Sequence, residues 1–311
     1  MENFKIFAGS SHTNFATALA EKLEMKLGAV TLKAFSCGEM YVKFEETFRG
    51  KDAFLVQTGR TGLMHNDLIE LLLMIDAARR SFAEKVHVVM PYFPYSRQDK
   101  IHAPREGISA KLFANLLARA GADHLITMHL HSDQIQGFFD FPVDNLNPQR
   151  LFLKYFESKK LKDPVIVSPD AGGVKEAKHF ADKLGFPLVL LHKNRPGHNK
   201  AEVSHVIGDI EGKTPIIIDD MVDTAGSVCG AKETLVERGA RDEVYLACTH
   251  PIFSGPAVER LDKAGFAEIL ATDTLPVEQK PKNFHVLSVA PLFANVIQNV
   301  AARESVSKLY I

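Results

Sequence analysis

Ile217-Ile218-Asp219-Asp220-Met221-Val222-Asp223-Thr224-Ala225-Gly226-Ser227 is the stretch whose reading decides the fold. A β-branched run ends in two acidic residues. A short loop of small and hydroxylic residues follows, and a helical pattern opens at Gly226. Backbone N–H groups in such a loop, with a helix N-terminus behind them, make an anion site. Thr224 and Ser227 add hydroxyl donors. Carboxylates beside an anion must serve some other purpose, and Asp219 and Asp220 suit sugar hydroxyls or a hydrated Mg²⁺. Asp and Thr also cap ordinary helices, so the stretch alone establishes strand–loop–helix and leaves the anion site as one of two readings.

Working outward, Val165-Ile166-Val167-Ser168-Pro169-Asp170-Ala171-Gly172-Gly173-Val174-Lys175 repeats the pattern. Its glycine pair permits close backbone approach to a ligand, and Asp170 is a candidate Mg²⁺ contact; a tight turn with a cap is the alternative. Short apolar runs of the same kind recur at 5–8, 29–35, 53–57, 86–91, 125–129, 188–192, 243–249, 269–273 and 286–289. Amphipathic stretches at 66–83, 108–120, 174–184 and 226–238 lie between them, and Gly121, Gly185 and Gly239 follow three of these where a left-handed residue is wanted. Strands alternating with helices imply βαβ units and mainly parallel sheets. Asn145, Asn147 and Pro148 punctuate this rhythm, which places a boundary between residues 147 and 148.

Composition narrows the function classes. Among 311 residues, 37 Lys and Arg face 38 Asp and Glu, for a formal charge of -1. A broad basic surface for nucleic acid is not expected at that balance, while a small cationic site for a phosphorylated metabolite remains compatible. Three scattered cysteines, Cys37, Cys229 and Cys248, build neither a disulfide framework nor a thiolate zinc site, and a reducing cytoplasm is the natural expectation. No secretory leader is read at the N-terminus, and no apolar run approaches the ~20 residues of a membrane span. Gly208-Asp209-Ile210-Glu211-Gly212-Lys213-Thr214 looks like a phosphate-binding loop but has one residue too few between its glycines and precedes a strand instead of following one. No G-x-G-x-x-G occurs. His129 and His131 would share a face if both lay on a strand, which keeps a zinc pair in view.

Strand-Asp-Asp-x-x-Asp-Thr-x-Gly-Ser resembles the ribose-phosphate loop of type I phosphoribosyltransferases. The whole chain is similar to the ribose-phosphate diphosphokinase, or phosphoribosyl pyrophosphate synthetase, family. The segments that carry the likeness include Phe35-Ser36-Cys37-Gly38-Glu39, the run from Pro91 to Lys100, Gln134-Ile135-Gln136-Gly137-Phe138-Phe139-Asp140, both loops above, Thr249-His250-Pro251-Ile252-Phe253-Ser254-Gly255 and Glu304-Ser305-Val306-Ser307. The resemblance implies an α/β protein of two type I phosphoribosyltransferase-like domains, each a mainly parallel sheet flanked by helices. Residues 1–147 would be the ATP side and 148–299 the ribose 5-phosphate side, with a tail from about 300 packing back on the first domain.

It also implies diphosphoryl transfer from ATP to ribose 5-phosphate. Phe35 and Glu39, reaching across a subunit interface, would line the adenine site, with Arg97 and Gln98 also binding ATP. Asp219, Asp220, Asp223, Thr224, Ala225, Gly226 and Ser227 would hold ribose 5-phosphate. His131 and Asp170 would serve Mg²⁺. Lys193 and Arg195, at the head of a Pro-, Gly- and Asn-rich stretch that matches a flexible lid, would be catalytic. A homohexamer built from dimers and a cytoplasmic location are implied as well.

Four positions depart from the family pattern: Cys37 and His129 where acidic or amide residues are usual, His102 where an acid is common, and Phe82 where many members carry a small hydroxylic residue in a phosphate- and ADP-binding control site. Arg49, Arg105, Ser305 and Ser307 remain, so the expectation is weakened or altered control. A type I phosphoribosyltransferase and a non-catalytic regulatory subunit are the competing readings. The retained residues across both halves favour the synthetase.

Overall fold

The computed structural model describes residues 3–197 and 200–307, the side chains of 193–204 excepted. The chain divides into two compact units, Met1–Asn147 with Thr274–Pro276 and Ser288–Ile311, and Pro148–Asp273 with Val277–Leu287.

The first unit runs β1 (Phe4–Ala8), α1 (Thr13–Lys22), β2 (Val30–Ala34), β3 (Met40–Phe44), β4 (Asp52–Val56), α2 (Met64–Arg80), β5 (Val86–Met90), α3 (Ser109–Ala120), β6 (His124–Met128) and β7 (Val143–Leu146). Strands β1, β4, β5, β6 and β7 form one sheet in that order, every pairing parallel. Every residue of β4, β5 and β6 is buried, which is why these strands read as continuous apolar runs. Phe7, Leu55, Leu71, Met74, Val88 and Leu125 centre the core on one face. The Phe7 ring packs 4.5 Å from Phe44 and 4.9 Å from Phe48. It leaves no room at Gly28, where a Cβ would fall 2.2 Å from Phe7 Cε1, so only glycine fits there. β2 and β3 stand apart as an antiparallel hairpin.

The second unit runs α4 (Gln149–Ser158), β8 (Pro164–Ser168), α5 (Val174–Leu184), β9 (Leu188–Gly197), β10 (Lys200–Ile207), β11 (Thr214–Val222), α6 (Gly226–Glu237), β12 (Tyr245–Pro251), α7 (Ala257–Ala264), β13 (Glu268–Thr272) and β14 (Phe284–Leu287). Its seven strands are ordered β10-β9-β8-β11-β12-β13-β14. Only β9–β10 is antiparallel. α3 and α5 end on left-handed Gly121 and Gly185.

Three differences from the sequence reading have physical causes. The stretch from Lys193, read from the resemblance as a flexible lid and rich in Pro, Gly and Asn, has its described backbone in β-structure: Val203 pairs with Lys193 and Glu202 with Asn194. Ladder hydrogen bonds there outweigh the turn preference of Pro196 and Gly197. β7 lies inside the punctuated stretch expected to be a break; an edge strand needs one neighbour only and tolerates such residues. The boundary expected at residue 299 gives way to a return at Ser288. Helix α8 (Ala290–Ala301) belongs to the first unit, where Phe293 meets Phe15 of α1 edge-on at 5.5 Å.

Candidate active site

In the second unit the strand ladder carries Asp219 and Asp220 to the carboxyl end of β11, Asp219 in register with Cys248 of β12. The chain then turns through Ala225, buried and left-handed at φ 61°, into α6. A non-glycine residue in that region is uncommon and costs backbone strain. The turn brings exposed Thr224, Gly226 and Ser227 to the start of α6, where first-turn amides lack intrahelical partners. The loop is held from behind. Ser254 donates its hydroxyl to Asp223 Oδ1 and its amide to the Asp223 carbonyl, and Arg260 reaches the Thr224 carbonyl at 3.0 Å. Burial, then the Asp220 and Asp170 carboxylates, push the Asp219 carboxyl well above the usual range.

The second loop closes on itself. Asp170 Oδ1 accepts the amides of Gly172 at 2.9 Å and Gly173 at 3.1 Å, while the Ser168 hydroxyl donates to the Asp170 carbonyl. A Cβ at Gly172 would sit 3.2 Å from that Oδ1. The capping role is therefore real and engages one carboxylate oxygen.

In the first unit, Phe35 and Glu39 share the tip of the β2–β3 hairpin, the Phe35 amide donating to the Glu39 carbonyl at 2.8 Å. The Phe35 ring is 48% exposed, with Tyr41 edge-on at 5.8 Å. The Lys33 ammonium lies 5.9 Å from its centroid, and the half-exposed ring is one an aromatic ligand could stack on. Glu39 lines a recess of about 470 Å³ with Met40, His65 and Ile69. Arg97 and Gln98 line a second, of about 460 Å³, with Tyr92, Tyr95 and again His65. Tyr95, left-handed at φ 62°, stacks on Phe113 at 4.2 Å and bonds His65 through its hydroxyl. Ser109 donates to Gln98 Oε1 and the Ala110 amide to the Gln98 carbonyl. These contacts fix Gln98 in place beside Arg97.

Similarity to known proteins extends over the whole length. Residues 4–121 match the family model described as the N-terminal domain of ribose phosphate pyrophosphokinase, and residues 196–311 match the phosphoribosyl synthetase-associated domain. The ribose-phosphate pyrophosphokinase of Helicobacter hepaticus is 47% identical over the full length of both chains. That of Bacillus subtilis is 45% identical over 99% of this chain and 98% of its own. The crystal structure of phosphoribosylpyrophosphate synthetase from Mycobacterium smegmatis superposes with a TM-score of 0.91 at 43% identity, over 97% of this chain and 99% of that one. The chain belongs to the ribose-phosphate pyrophosphokinase family. It is an enzyme of that class, with the parallel-sheet α/β architecture of the class.

The remaining candidate residues of this family member fall as follows. His131 is exposed, two residues beyond His129. β6 ends at Met128 and His129 is left-handed at φ 46°, so the alternation that would put both histidines on one strand face is broken. Among the described residues, no three His, Cys, Asp or Glu side chains converge as a metal site. Lys193 and Arg195 lie on β9, and their side chains are outside the described residues. Phe82 is 60% exposed, and the Arg49 guanidinium lies 4.0 Å from its ring centroid. No helix among the described residues is long and apolar enough to cross a membrane. The sequence reading missed His65, common to both recesses; nothing local marks it, since its partner Tyr95 is thirty residues away.

Proposed function

We propose that the chain transfers the β,γ-diphosphoryl group of ATP to the 1-hydroxyl of ribose 5-phosphate, giving phosphoribosyl diphosphate and AMP. The ribose oxygen bonds to the β-phosphorus, the link from that phosphorus to the α,β-bridging oxygen breaks, and AMP leaves with the bridging oxygen. The observation that carries this is the full-length family match with the 219–227 loop intact. Such chemistry asks a protein mainly for positioning and charge neutralisation. The two units divide that work, ATP on the first and ribose 5-phosphate on the second.

Phe35 stacks on adenine and Glu39 accepts from its amino group, both supplied across a subunit interface. Arg97 clamps phosphate, because a guanidinium forks onto phosphate oxygens, and Gln98 bonds adenine or ribose. Asp219, Asp220 and Asp223 take the sugar hydroxyls, and 224–227 cradle the 5-phosphate. Lys193 and Arg195 meet the charge that develops on the transferred group.

Mg²⁺ fits the residues present. Asp170, Asp219 and Asp220 supply carboxylate oxygens, the hard donors Mg²⁺ prefers, and burial, then the neighbouring Asp220 and Asp170 carboxylates, raise the proton affinity of Asp219. His131 on the first unit and Asp170 on the second are each proposed as Mg²⁺ contacts, and Mg²⁺ would there neutralise phosphate charge. Self-association into a homohexamer of dimers and a cytoplasmic location complete the proposal.

A product assay tests it. ATP, Mg²⁺ and ribose 5-phosphate should give AMP and phosphoribosyl diphosphate in equal amounts, resolved by phosphorus NMR. ADP in place of AMP, or no turnover by folded protein, sinks the reading. Regulation is a separate expectation. Phe82 stands where many family members carry a small hydroxylic residue and lays its ring on Arg49, so a hydroxyl donor is lost beside that guanidinium and control by phosphate and ADP is expected to be weakened. Initial rates titrated with each ligand check this; strong phosphate activation with non-competitive ADP inhibition contradicts it.

A further inference from the structure

At the end of the first sheet opposite the ligand loops, His87 of β5 and His124 of β6 are in-register neighbours. Both are buried, at 4% and 8% exposure. Their Nδ1 atoms lie 3.1 Å apart. On the outer sides, His87 Nε2 faces Asp52 Oδ2 of β4 at 3.5 Å, and His124 Nε2 faces Asp144 Oδ2 of β7 at 3.1 Å. Arg303, beyond α8, reaches the same Asp52 oxygen at 3.1 Å. The uncharged Phe54 ring stacks on His87 at 4.3 Å. The row is thus carboxylate, imidazole, imidazole, carboxylate, with one guanidinium at its end.

Its proton arithmetic is fixed by geometry. Three gaps separate the four groups, and each needs one hydrogen to be attractive. Two neutral imidazoles bring two hydrogens and leave one nitrogen lone pair against a neighbouring acceptor. Three hydrogens fill every gap. A fourth has no place, because two Nδ1–H groups cannot point at each other over 3.1 Å in a buried site. We propose that His87 and His124 form a proton-sharing dyad, held between Asp52 and Asp144, that carries one proton beyond two neutral rings and refuses the next. The dyad makes the first unit acid-sensitive at the point where Arg303 anchors the segment after α8.

The direction of the effect follows from linkage. Burial lowers the proton affinity of His87; His124 and Arg303 lower it further, and Asp52 opposes them. In the unfolded chain both histidines take up protons near the ordinary value of about 6.5. Below that pH the unfolded state binds more protons than the native state, so stability falls as pH falls.

The test uses the full chain. Below pH 6, the slope of unfolding free energy against pH should show the wild type approaching one more proton taken up on unfolding than His87→Gln or His124→Asn. Nitrogen-15 spectra of histidine-labelled wild type at pH 5.5 should show one of the two rings with a single N–H while the protein is folded. Unchanged slopes in the variants, or two fully protonated rings in the folded wild type, overturn the proposal. Should neither variant fold, the wild-type spectrum decides alone.

Discussion

Lys193→Ala should turn over at 10⁻² to 10⁻³ of the wild-type rate, the scale of losing one preorganised electrostatic donor, about 2.7–4 kcal/mol. The chemistry concentrates negative charge on a diphosphoryl unit in flight, and a fixed ammonium is worth most where water is excluded. Lys193 lies on β9, three residues beyond Leu190, the last position where β9 pairs with β8. It therefore emerges past the end of β8, on the side where the 168–175 turn begins. Only β10 pairs with its backbone there. The signature is a fall in kcat with little change in KM or in thermal unfolding. Lys193→Arg keeps the charge but alters reach and donor geometry, and should recover part of the rate. An alanine variant with normal turnover removes Lys193 from the mechanism.

Asp223→Ala should raise the KM for ribose 5-phosphate by roughly 10- to 100-fold, since a hydrogen bond to a charged group carries about 1.5–3 kcal/mol. Two roles meet in this carboxylate. Toward the protein it accepts the Ser254 hydroxyl, and toward ligand it is proposed to take sugar hydroxyls. Ser254→Ala separates them, because it cuts the first contact and leaves the second; the loop is still tied by the Ser254 amide on the Asp223 carbonyl and the Phe253 amide on the Val222 carbonyl. Its expected cost to KM is under about 10-fold, or about 1.4 kcal/mol, because the Asp223 carboxylate keeps its own contact with the sugar and loses only an orienting partner. Saturation curves for ribose 5-phosphate at fixed ATP measure both. Equal losses in the two variants would mean that Asp223 only supports the loop.

Legibility differed with the range of the forces involved. β11 and its loop could be read because burial on both faces forces a β-branched run, and because the turn into α6 demands small residues over a few positions. β3 and β7 could not. Each pairs with one neighbour only, so composition is relaxed, and Asn145 sits in a strand despite its turn preference. The hairpin from Lys193 escaped for a different reason: Pro196 and Gly197 signal irregular backbone locally, while β10 supplies a ladder that no local pattern announces. His65 and Tyr95 are joined by tertiary packing alone. His87 reads as an ordinary strand residue and His124 falls just before the run read at 125–129, and their meaning appears only once β5 and β6 are in register.

The return of α8 to the first unit has a consequence for how the protein is made. A ribosome completes β7 at Leu146 and then synthesises the whole second unit before Ala290 appears. At 5–20 residues per second that is on the order of ten to thirty seconds. Through that interval Phe15 waits for Phe293 and Asp52 waits for Arg303. A nascent first unit thus shows bare apolar surface to the cell during synthesis, and a gene fragment ending at residue 147 should yield a sticky, chaperone-dependent product.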